Sequence, residues 1–363
     1  MHHATLRRSP TGSRILDAML LAGLAALGLA LAGRTPLLAF LLAAVGLIPL
    51  AAVLGKATRA LAARKGPLAA GLIEATCGNA SELILGVAAL RANLIPVVKA
   101  SITGSIISNL LMVLGTAMLV GGRGRQRQML NREVAATNST LLFLAAVGLL
   151  VPAVFSLGVF GHLGSNEPAL ETLSVWTAVV LICIYAVSLY YQLQTGGRTQ
   201  QSPSPAEALA DAPRHPLLWM AASVVAIAIL SELLVDGLHI AQAALHGSDL
   251  FWGAVVFALV GNAAEHAVAI SAARRDEMDL AMAIGVGSSL QIALLLAPVL
   301  LFVSYFLGHP MTLAFTSMEV AAVVLSAVMV GMIAADGETN WLEGAQLIAV
   351  YAILVAAFYL VPA

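Results

Sequence analysis

Charge is scarce in this sequence. Only 10% of its 363 residues are Asp, Glu, Lys or Arg, whereas a soluble domain carries about 25%. The apolar share is 60%, and the mean hydropathy is +0.94. Because a soluble fold cannot bury that much apolar surface, the composition predicts an integral membrane protein whose main partner is the lipid bilayer. The net charge of −1 provides no basic surface for nucleic acid, and we expect none as a partner.

Cysteine is almost absent as well. The two cysteines, Cys77 and Cys183, both lie in apolar stretches, which excludes a disulfide framework and a cysteine zinc site. The amino-terminal arginines Arg7, Arg8 and Arg14 precede an apolar run, as in a signal peptide, but no small-residue cleavage site follows. We therefore interpret this segment as a retained helix.

Apolar runs long enough to cross a bilayer, about 20 residues each, recur along the whole chain. The hydropathy pattern predicts eleven spans, at residues 15–32, 36–55, 67–90, 95–120, 133–155, 169–192, 216–238, 250–273, 279–307, 313–334 and 342–361. The stretch 193–215 is polar and contains Gln-Ser-Pro-Ser-Pro, which is typical of a flexible linker. The predicted units are an amino-terminal segment with helix 1 (1–35), a first half (36–192), a cytoplasmic linker (193–215) and a second half (216–363).

The basic residues predict the orientation of the chain. With the amino terminus inside, fifteen of the 18 Lys and Arg residues fall in or beside inner segments. Only Arg34 and Arg91 fall in outer loops, with Lys99 near an outer helix end. Positive charge is enriched on the cytoplasmic side of membrane proteins. We therefore expect a cytoplasmic amino terminus, an external carboxyl terminus and a bacterial inner membrane as the location.

Two short motifs repeat at one fixed offset. Gly-Asn-Ala-Ser-Glu at 78–82 matches Gly-Asn-Ala-Ala-Glu at 261–265, an offset of 261 − 78 = 183. At the same offset, Gly104-Ser105 falls on Gly287-Ser288. The two halves are therefore helices 2–6 and 7–11, with helix 1 extra. Because five is odd, the second half enters the membrane from the opposite side. The predicted fold is all-α, with an extra amino-terminal helix and two inverted five-helix repeats, an arrangement common in secondary transporters.

Each repeat places one carboxylate, Glu82 or Glu265, near the middle of a span. A charged residue at that depth costs about 2.5–3.5 kcal/mol on insertion scales, and such residues are usually functional. Hard cations such as calcium take about six to eight oxygen ligands from carboxylates, amides, carbonyls and water. We therefore expect Glu82 and Glu265 to bind the cation, with inert buried acids as the less favoured interpretation.

The other motif residues supply further oxygens or close packing. Asn79 and Asn262 are predicted to line the site with amide oxygens. Ser105 and Ser288 either offer hydroxyl ligands or let neighbouring helices approach. Glycine and asparagine both weaken a helix, which makes backbone carbonyls available as ligands. Close packing is the alternative role for the repeat-motif glycines, which are Gly78, Gly104, Gly261 and Gly287.

Four further polar residues in the spans are secondary candidates. Glu74 precedes Glu82 by eight residues, so both are expected on one side of helix 3, with Glu74 either an entrance ligand or a group reaching lipid headgroups. Glu232 in helix 7 either lines an outer vestibule or is a partnered structural acid. Asn109 and Gln291 lie about one turn beyond the Gly-Ser motifs and are expected to support the ligands from behind.

The same carboxylates can hold protons. Burial in a medium of low dielectric favours the neutral acid and a second carboxylate reinforces this preference, whereas a divalent cation favours the charged forms. Glu82 and Glu265 would then hold either one divalent cation or protons, which is a physical basis for exchange. His266 has no counterpart, since residue 83 is Leu. It is either a titrating group that couples protons to the second half or a core histidine bonded to a neighbouring helix.

These motifs resemble a known family. The two Gly-Asn motifs and the stretches 99–111, 287–294 and 336–344 are similar to those of the calcium/proton exchangers of the calcium/cation antiporter superfamily. The similarity runs from about residue 36 to the end. The resemblance implies the same fold and calcium export driven by inward proton flow through alternating access. It implies no cofactor, and it assigns the motif carboxylates to Glu82 and Glu265 and the motif histidine to His266.

Other functions remain open. The same fold exchanging sodium, potassium or another divalent cation is the closest alternative, and a cation channel would also use carboxylates. An intramembrane enzyme needs an acid, base and nucleophile set that no spacing here supplies, since both His-Glu-x-x-His and Gly-x-Ser-x-Gly are missing from the sequence. We therefore expect a transporter and not an enzyme. The sequence leaves open whether the protein forms homo-oligomers.

Overall fold

The computed structural model describes residues 10–33, 35–65, 67–163, 167–194 and 212–362. These residues form helices joined by loops and one short two-stranded sheet. The helices are α1 (Pro10–Leu31), α2 (Pro36–Ala62), α3 (Pro67–Cys77), α4 (Ala80–Arg91), α5 (Ile95–Gly121), α6 (Arg132–Phe160), α7 (Pro168–Gln194), α8 (Pro216–Leu245), α9 (Asp249–Gly261), α10 (Ala263–Arg274), α11 (Met278–Phe306), α12 (Ser317–Ala335) and α13 (Trp341–Leu360). Most of the predicted linker and the basic residues Arg7, Arg8, Arg34 and Arg198 lie outside the described residues.

Local sequence explains where several of these helices begin. Both α2 and α8 begin with proline, whose missing N–H is not needed in the first helical turn. Capping boxes begin the last two helices, formed by Thr316 with Glu319 for α12 and by Asn340 with Glu343 for α13. In each box the two residues bind each other's backbone N–H groups, which would otherwise lack a partner at the helix start.

The helices form an apolar bundle of membrane dimensions. Eight described helices are long and apolar enough to cross a membrane, and the pair α9–α10, bent by 58°, adds a ninth. The described apolar part of α1 is shorter than this test requires, and the pair α3–α4 does not pass it, so the count of eleven spans stays a prediction. In the apolar windows of α5 and α11, 83% and 72% of residues are buried, against 17% in α13. Helices α5 and α11 therefore lie at the centre and α13 at the outer surface.

Two spans that the hydropathy pattern predicts as continuous helices are broken. The segment 67–90 is interrupted at Gly78 and Asn79, between α3 and α4, and the segment 250–273 is interrupted at Asn262, between α9 and α10. Glycine in a helix costs about 1 kcal/mol relative to alanine, and an asparagine side chain competes for backbone hydrogen bonds. Hydropathy does not register either effect, so the prediction of unbroken spans is wrong at these two places.

Helix boundaries repeat with the motif offset. Helices α4 and α10 begin 263 − 80 = 183 residues apart and end 274 − 91 = 183 residues apart. Helices α5 and α11 also begin 278 − 95 = 183 residues apart. Each of these two central helices contains a π-helical segment, at Ser108–Val113 in α5 and Ile292–Leu296 in α11. Such bulges are frequent at functional sites, and both follow the Gly-Ser motif of their helix.

The short sheet joins two distant loops. Strand β1 (Gln128–Met129) follows α5, and strand β2 (Glu338–Thr339) precedes α13. They pair antiparallel, with Gln128 opposite Thr339. The Arg125–Asp276 ion pair, with a nitrogen–oxygen distance of 3.4 Å, attaches the loop between α10 and α11 to the same end of the bundle.

Candidate cation site

The two helix breaks place both motif carboxylates in a first helical turn. Glu82 is the third residue of α4, and Glu265 is the third residue of α10. Unpaired N–H groups give a helix start a partial positive charge, which favours an acid there. The sequence expects Gly-Asn to weaken the helix, and the structure shows that the weakening creates two new helix starts beside the acids. Half-helix starts of this kind form the ion sites of many transporters.

Glu82 is buried against the opposite half of the chain. Its side chain packs on Gly261, where an added Cβ would lie 2.9 Å from Glu82 Cγ. Ser81 Oγ donates to Glu82 Oε2 at 2.9 Å and to the Gly261 carbonyl at 3.4 Å. Glu82 Oε1 has no hydrogen-bond partner among the residues that the structure describes. One buried oxygen of this acid is therefore open to a proton or a cation.

Glu265 lines a cavity of about 570 Å³, counted with its open mouth. Its Oε2 is buried and also lacks a hydrogen-bond partner within the described part of the chain. The charges of Glu82 and Arg59 both act on Glu265. The remaining polar groups that line the cavity come from both halves and include Thr58, Glu74, Asn79, Ser288 and Gln291.

A chain of amide and hydroxyl groups connects the two breaks. Asn79 donates to Gln291 Oε1 at 2.8 Å and accepts from Ser288 Oγ at 3.0 Å. Asn109 donates to Ser288 Oγ and to Asn262 Oδ1, each at 3.0 Å. Asn262 in turn donates to the Ala258 carbonyl at 2.8 Å. Asn109 and Gln291, which the sequence ranks as secondary, are therefore the residues that hold the two motif asparagines in place.

His266 is bonded within its own helix. Its Nδ1 lies 2.7 Å from the Asn262 carbonyl. A carbonyl can only accept, so Nδ1 carries the hydrogen and Nε2 of the neutral ring is an acceptor. Nε2 is buried and has no partner among the described residues. The sequence leaves open a bond to a neighbouring helix, but the observed bond is internal to the α10 segment.

The Gly-Ser motifs differ in what the structure shows of them. Ser288 belongs to the amide network, whereas Ser105 Oγ is buried without a hydrogen-bond partner in the described residues. Gly104 lies where α5 touches α9, because an added Cβ would lie 2.2 Å from Ala254. Gly78 is similarly tight, with an added Cβ 2.5 Å from the Glu74 carbonyl and 3.1 Å from Gln291 Oε1. Close packing therefore accounts for both glycines. Gly287 lines a second small cavity beside Gln291.

The two secondary acids separate. Glu74 is buried and lines the cavity of Glu265. The helical spacing that predicts one shared side for Glu74 and Glu82 does not apply, because the helix breaks between them. Glu232 forms an ion pair with Arg91 at 2.5 Å, and the two side chains are 41% and 62% exposed. Glu232 is thus a partnered acid joining α8 to α4, and it does not belong to the residues that line the cavity.

Sequence reasoning missed two charged positions. Arg59 is assigned only to an inner segment by hydropathy, but α2 continues past the predicted end at 55 and carries Arg59 to the cavity. Glu319, on α12, is buried and accepts from Thr103 Oγ1 at 3.0 Å. Lys99 donates to the Ala314 carbonyl at 2.9 Å, and its charge acts on Glu319. The intramembrane position of Glu319 is the signal that could have found this second buried cluster.

Acidic side chains alone do not make a closed metal cage here. In the described ranges no group of three or more His, Cys, Asp or Glu residues could hold a metal ion. A cation between Glu82 and Glu265 would take its other oxygens from amides, hydroxyls, carbonyls or water, which are ligands that calcium accepts.

Broken helices whose starts carry buried acids, inside an apolar bundle, define a membrane transporter and not an enzyme. The chain belongs to the sodium/calcium exchanger protein family, whose model matches residues 35–194 and 215–360.

Comparison with individual proteins agrees with this assignment. The chain is 42% identical over 339 residues to the Ca(2+)/H(+) antiporter of Aphanothece halophytica, covering 89% of this chain and 90% of that protein. It is 39% identical over 322 residues to a Ca(2+)/H(+) antiporter of Bacillus subtilis (strain 168), covering 87% and 90%. The solved structure of native YfkE matches with a TM-score of 0.83 and 35% identity, covering 96% of this chain and 100% of that one. The predicted family and the all-helical transporter fold are confirmed.

Proposed function

We propose that this protein is a secondary antiporter that exports calcium from the cytoplasm in exchange for protons. The observation that carries the proposal is the pair of open carboxylate oxygens. Glu82 Oε1 and Glu265 Oε2 are both buried, both lack a hydrogen-bond partner among the described residues, and both follow a helix break. The names of the relatives, Ca(2+)/H(+) antiporters, support calcium and protons as the two substrates.

The chemistry of exchange follows from the cost of a bare buried charge. Two carboxylates close enough to interact are unfavourable when both are ionised and unpaired. One divalent cation neutralises the pair, and so do two protons. Occupation by one therefore excludes the other, and calcium is released when protons bind. The oxygens of Asn79 and Asn262 complete the cation's shell, while Ser288 and Asn109 hold those amides in position.

Alternating access in this proposal comes from two inverted five-helix halves. The equal boundaries of α4 and α10 support the repeat. Contacts between loops support eleven spans, because loops assigned to the same side meet. The two predicted inner loops that carry β1 and β2 pair with each other, and at the outer end Lys99 binds Thr312 at 3.2 Å. We place the amino terminus in the cytoplasm and the protein in the bacterial inner membrane.

A vesicle assay tests this function. Purified protein is reconstituted into vesicles that hold a pH gradient, and each cation is added separately outside. We expect calcium to dissipate the gradient, and sodium and potassium to have little effect. If sodium or potassium dissipates the gradient and calcium does not, the substrate assignment is wrong. Single-channel currents in a planar bilayer would overturn the exchange mechanism itself.

A further inference from the structure

Arg59 is a permanent positive charge in a cavity that the proposed function reserves for a cation. It lies in the last turn of α2 and lines the cavity together with Glu74 and Glu265. Gly55 allows the contact, because a Cβ added there would lie 3.3 Å from Arg59 Nη1 and 3.8 Å from Ala264 Cβ. The guanidinium therefore lies along the contact between α2 and α10, one residue from the start of the Glu265 side chain.

The charge of Arg59 has two opposite effects on transport. It acts on Glu265 with a sign that stabilises the ionised carboxylate. It also repels any cation that enters the same cavity. An arginine keeps its charge at every pH at which the protein works, so neither effect can be removed by protonation.

We propose that Arg59 is a tethered competitor of calcium. It neutralises Glu265 while the site is empty, and it weakens calcium binding from the cavity side, so it sets the calcium concentration at which export begins. This inference rests on the proposed function. Arg59 is thus a residue that determines cation affinity and is not itself a ligand.

The position of Arg59 distinguishes it from the other basic residues nearby. Arg64 and Lys65 are exposed and do not line the cavity. Arg59 is carried by α2, which packs on α1 and α8, whereas the acids of the cavity are carried by α3 and α10. A shift of α2 relative to those helices would move the competing charge away from Glu265, so its effect belongs to the state in which this cavity is open.

The test compares calcium affinity in matched variants. Initial rates of calcium-driven proton movement are measured in vesicles with calcium on the cavity side. In Arg59→Gln we expect the half-saturating calcium concentration to fall about tenfold, with no rise in the maximal rate. Arg59→Lys keeps the charge and should stay near the wild type. Arg64→Gln removes an exposed charge from the same end and should shift the value little.

Several results would overturn the inference. An unchanged half-saturating concentration in Arg59→Gln removes Arg59 from the affinity. An equal shift in Arg64→Gln would show that only surface potential matters. If the wild type exchanges no calcium for protons, the proposed function fails; if the wild type is active and Arg59→Gln is unshifted, only the present inference fails.

A second measurement covers the case in which Arg59→Gln does not insert. Arg59→Cys is made in a background with Cys77→Ala and Cys183→Ala. The same folded protein is then treated with a cationic or an anionic methanethiosulfonate of similar size. The cationic adduct should give a higher half-saturating calcium concentration than the anionic adduct. Equal values for the two adducts would contradict the role of charge at this position.

Discussion

Glu82 packs directly on Gly261, so the carboxylate of one Gly-Asn motif rests on the glycine of the other. A Cβ at residue 261 would lie 2.9 Å from Glu82 Cγ and 3.6 Å from Oε1. Each motif therefore serves the opposite half of the chain as well as its own. The two halves cannot be treated as independent sites, and four predictions follow from the contacts between them.

Gly261→Ala should displace Glu82 and lower exchange. A misplacement of about 1 Å in a working site can cost on the order of 100-fold in rate, so we expect a loss of at least about tenfold. The measurement is the initial rate of calcium/proton exchange in vesicles at equal protein content. Gly28→Ala on α1 is the control, because nothing lies within 4 Å of its added Cβ. Normal exchange in Gly261→Ala would show that Glu82 tolerates the shift.

Glu82→Gln and Glu265→Gln should each reduce coupled exchange to background while the protein still inserts. Each substitution keeps the shape and removes the charge that binds the cation. Glu232→Gln is the matched control, since Glu232 is paired with Arg91 and lies outside the cavity. We expect it to retain exchange, because exposed ion pairs contribute at most about 1 kcal/mol. Near-normal calcium uptake by either of the first two variants would remove that acid from the site.

His266→Ala should change the pH profile of exchange more than it changes expression. A proton on Nε2 would place a positive charge next to Glu265 and oppose calcium binding, which lowers exchange at acid pH. Without the ring, the acid limb of the profile should move to lower pH. The rate is measured across a pH series and compared with His239→Ala, an exposed histidine on α8. An unmoved acid limb would leave His266 with a structural role only.

Asn109→Ala should destabilise the protein and weaken calcium binding together. The substitution removes the bonds to Ser288 and Asn262, and each buried group left without a partner costs about 1–3 kcal/mol. Thermal unfolding in detergent and calcium binding to the purified protein measure the two effects. Thr116→Ala is a control on the same helix, because its hydroxyl bonds only to backbone within α5. Loss of stability with unchanged calcium binding would limit Asn109 to packing.

Much of this site was accessible from the sequence because the signal is local. A Gly-Asn pair one turn before a glutamate can be read without knowing any other part of the chain, and its repetition at an offset of 183 identifies Glu82 and Glu265 as a pair. The role of Asn109 could not be found in this way. Its partners lie 153 and 179 residues away, and no periodicity connects residues across such distances.

The sequence by itself determined that this chain is a membrane protein, which residues repeat, and that two acids lie inside apolar spans. These properties depend on hydropathy and on short-range order along the chain. Only the tertiary structure decided that both spans break beside those acids, that Glu232 is paired with Arg91 and that Arg59 lines the cavity of Glu265. Each of these outcomes depends on which helices touch, and that contact is set by the packing of the whole bundle.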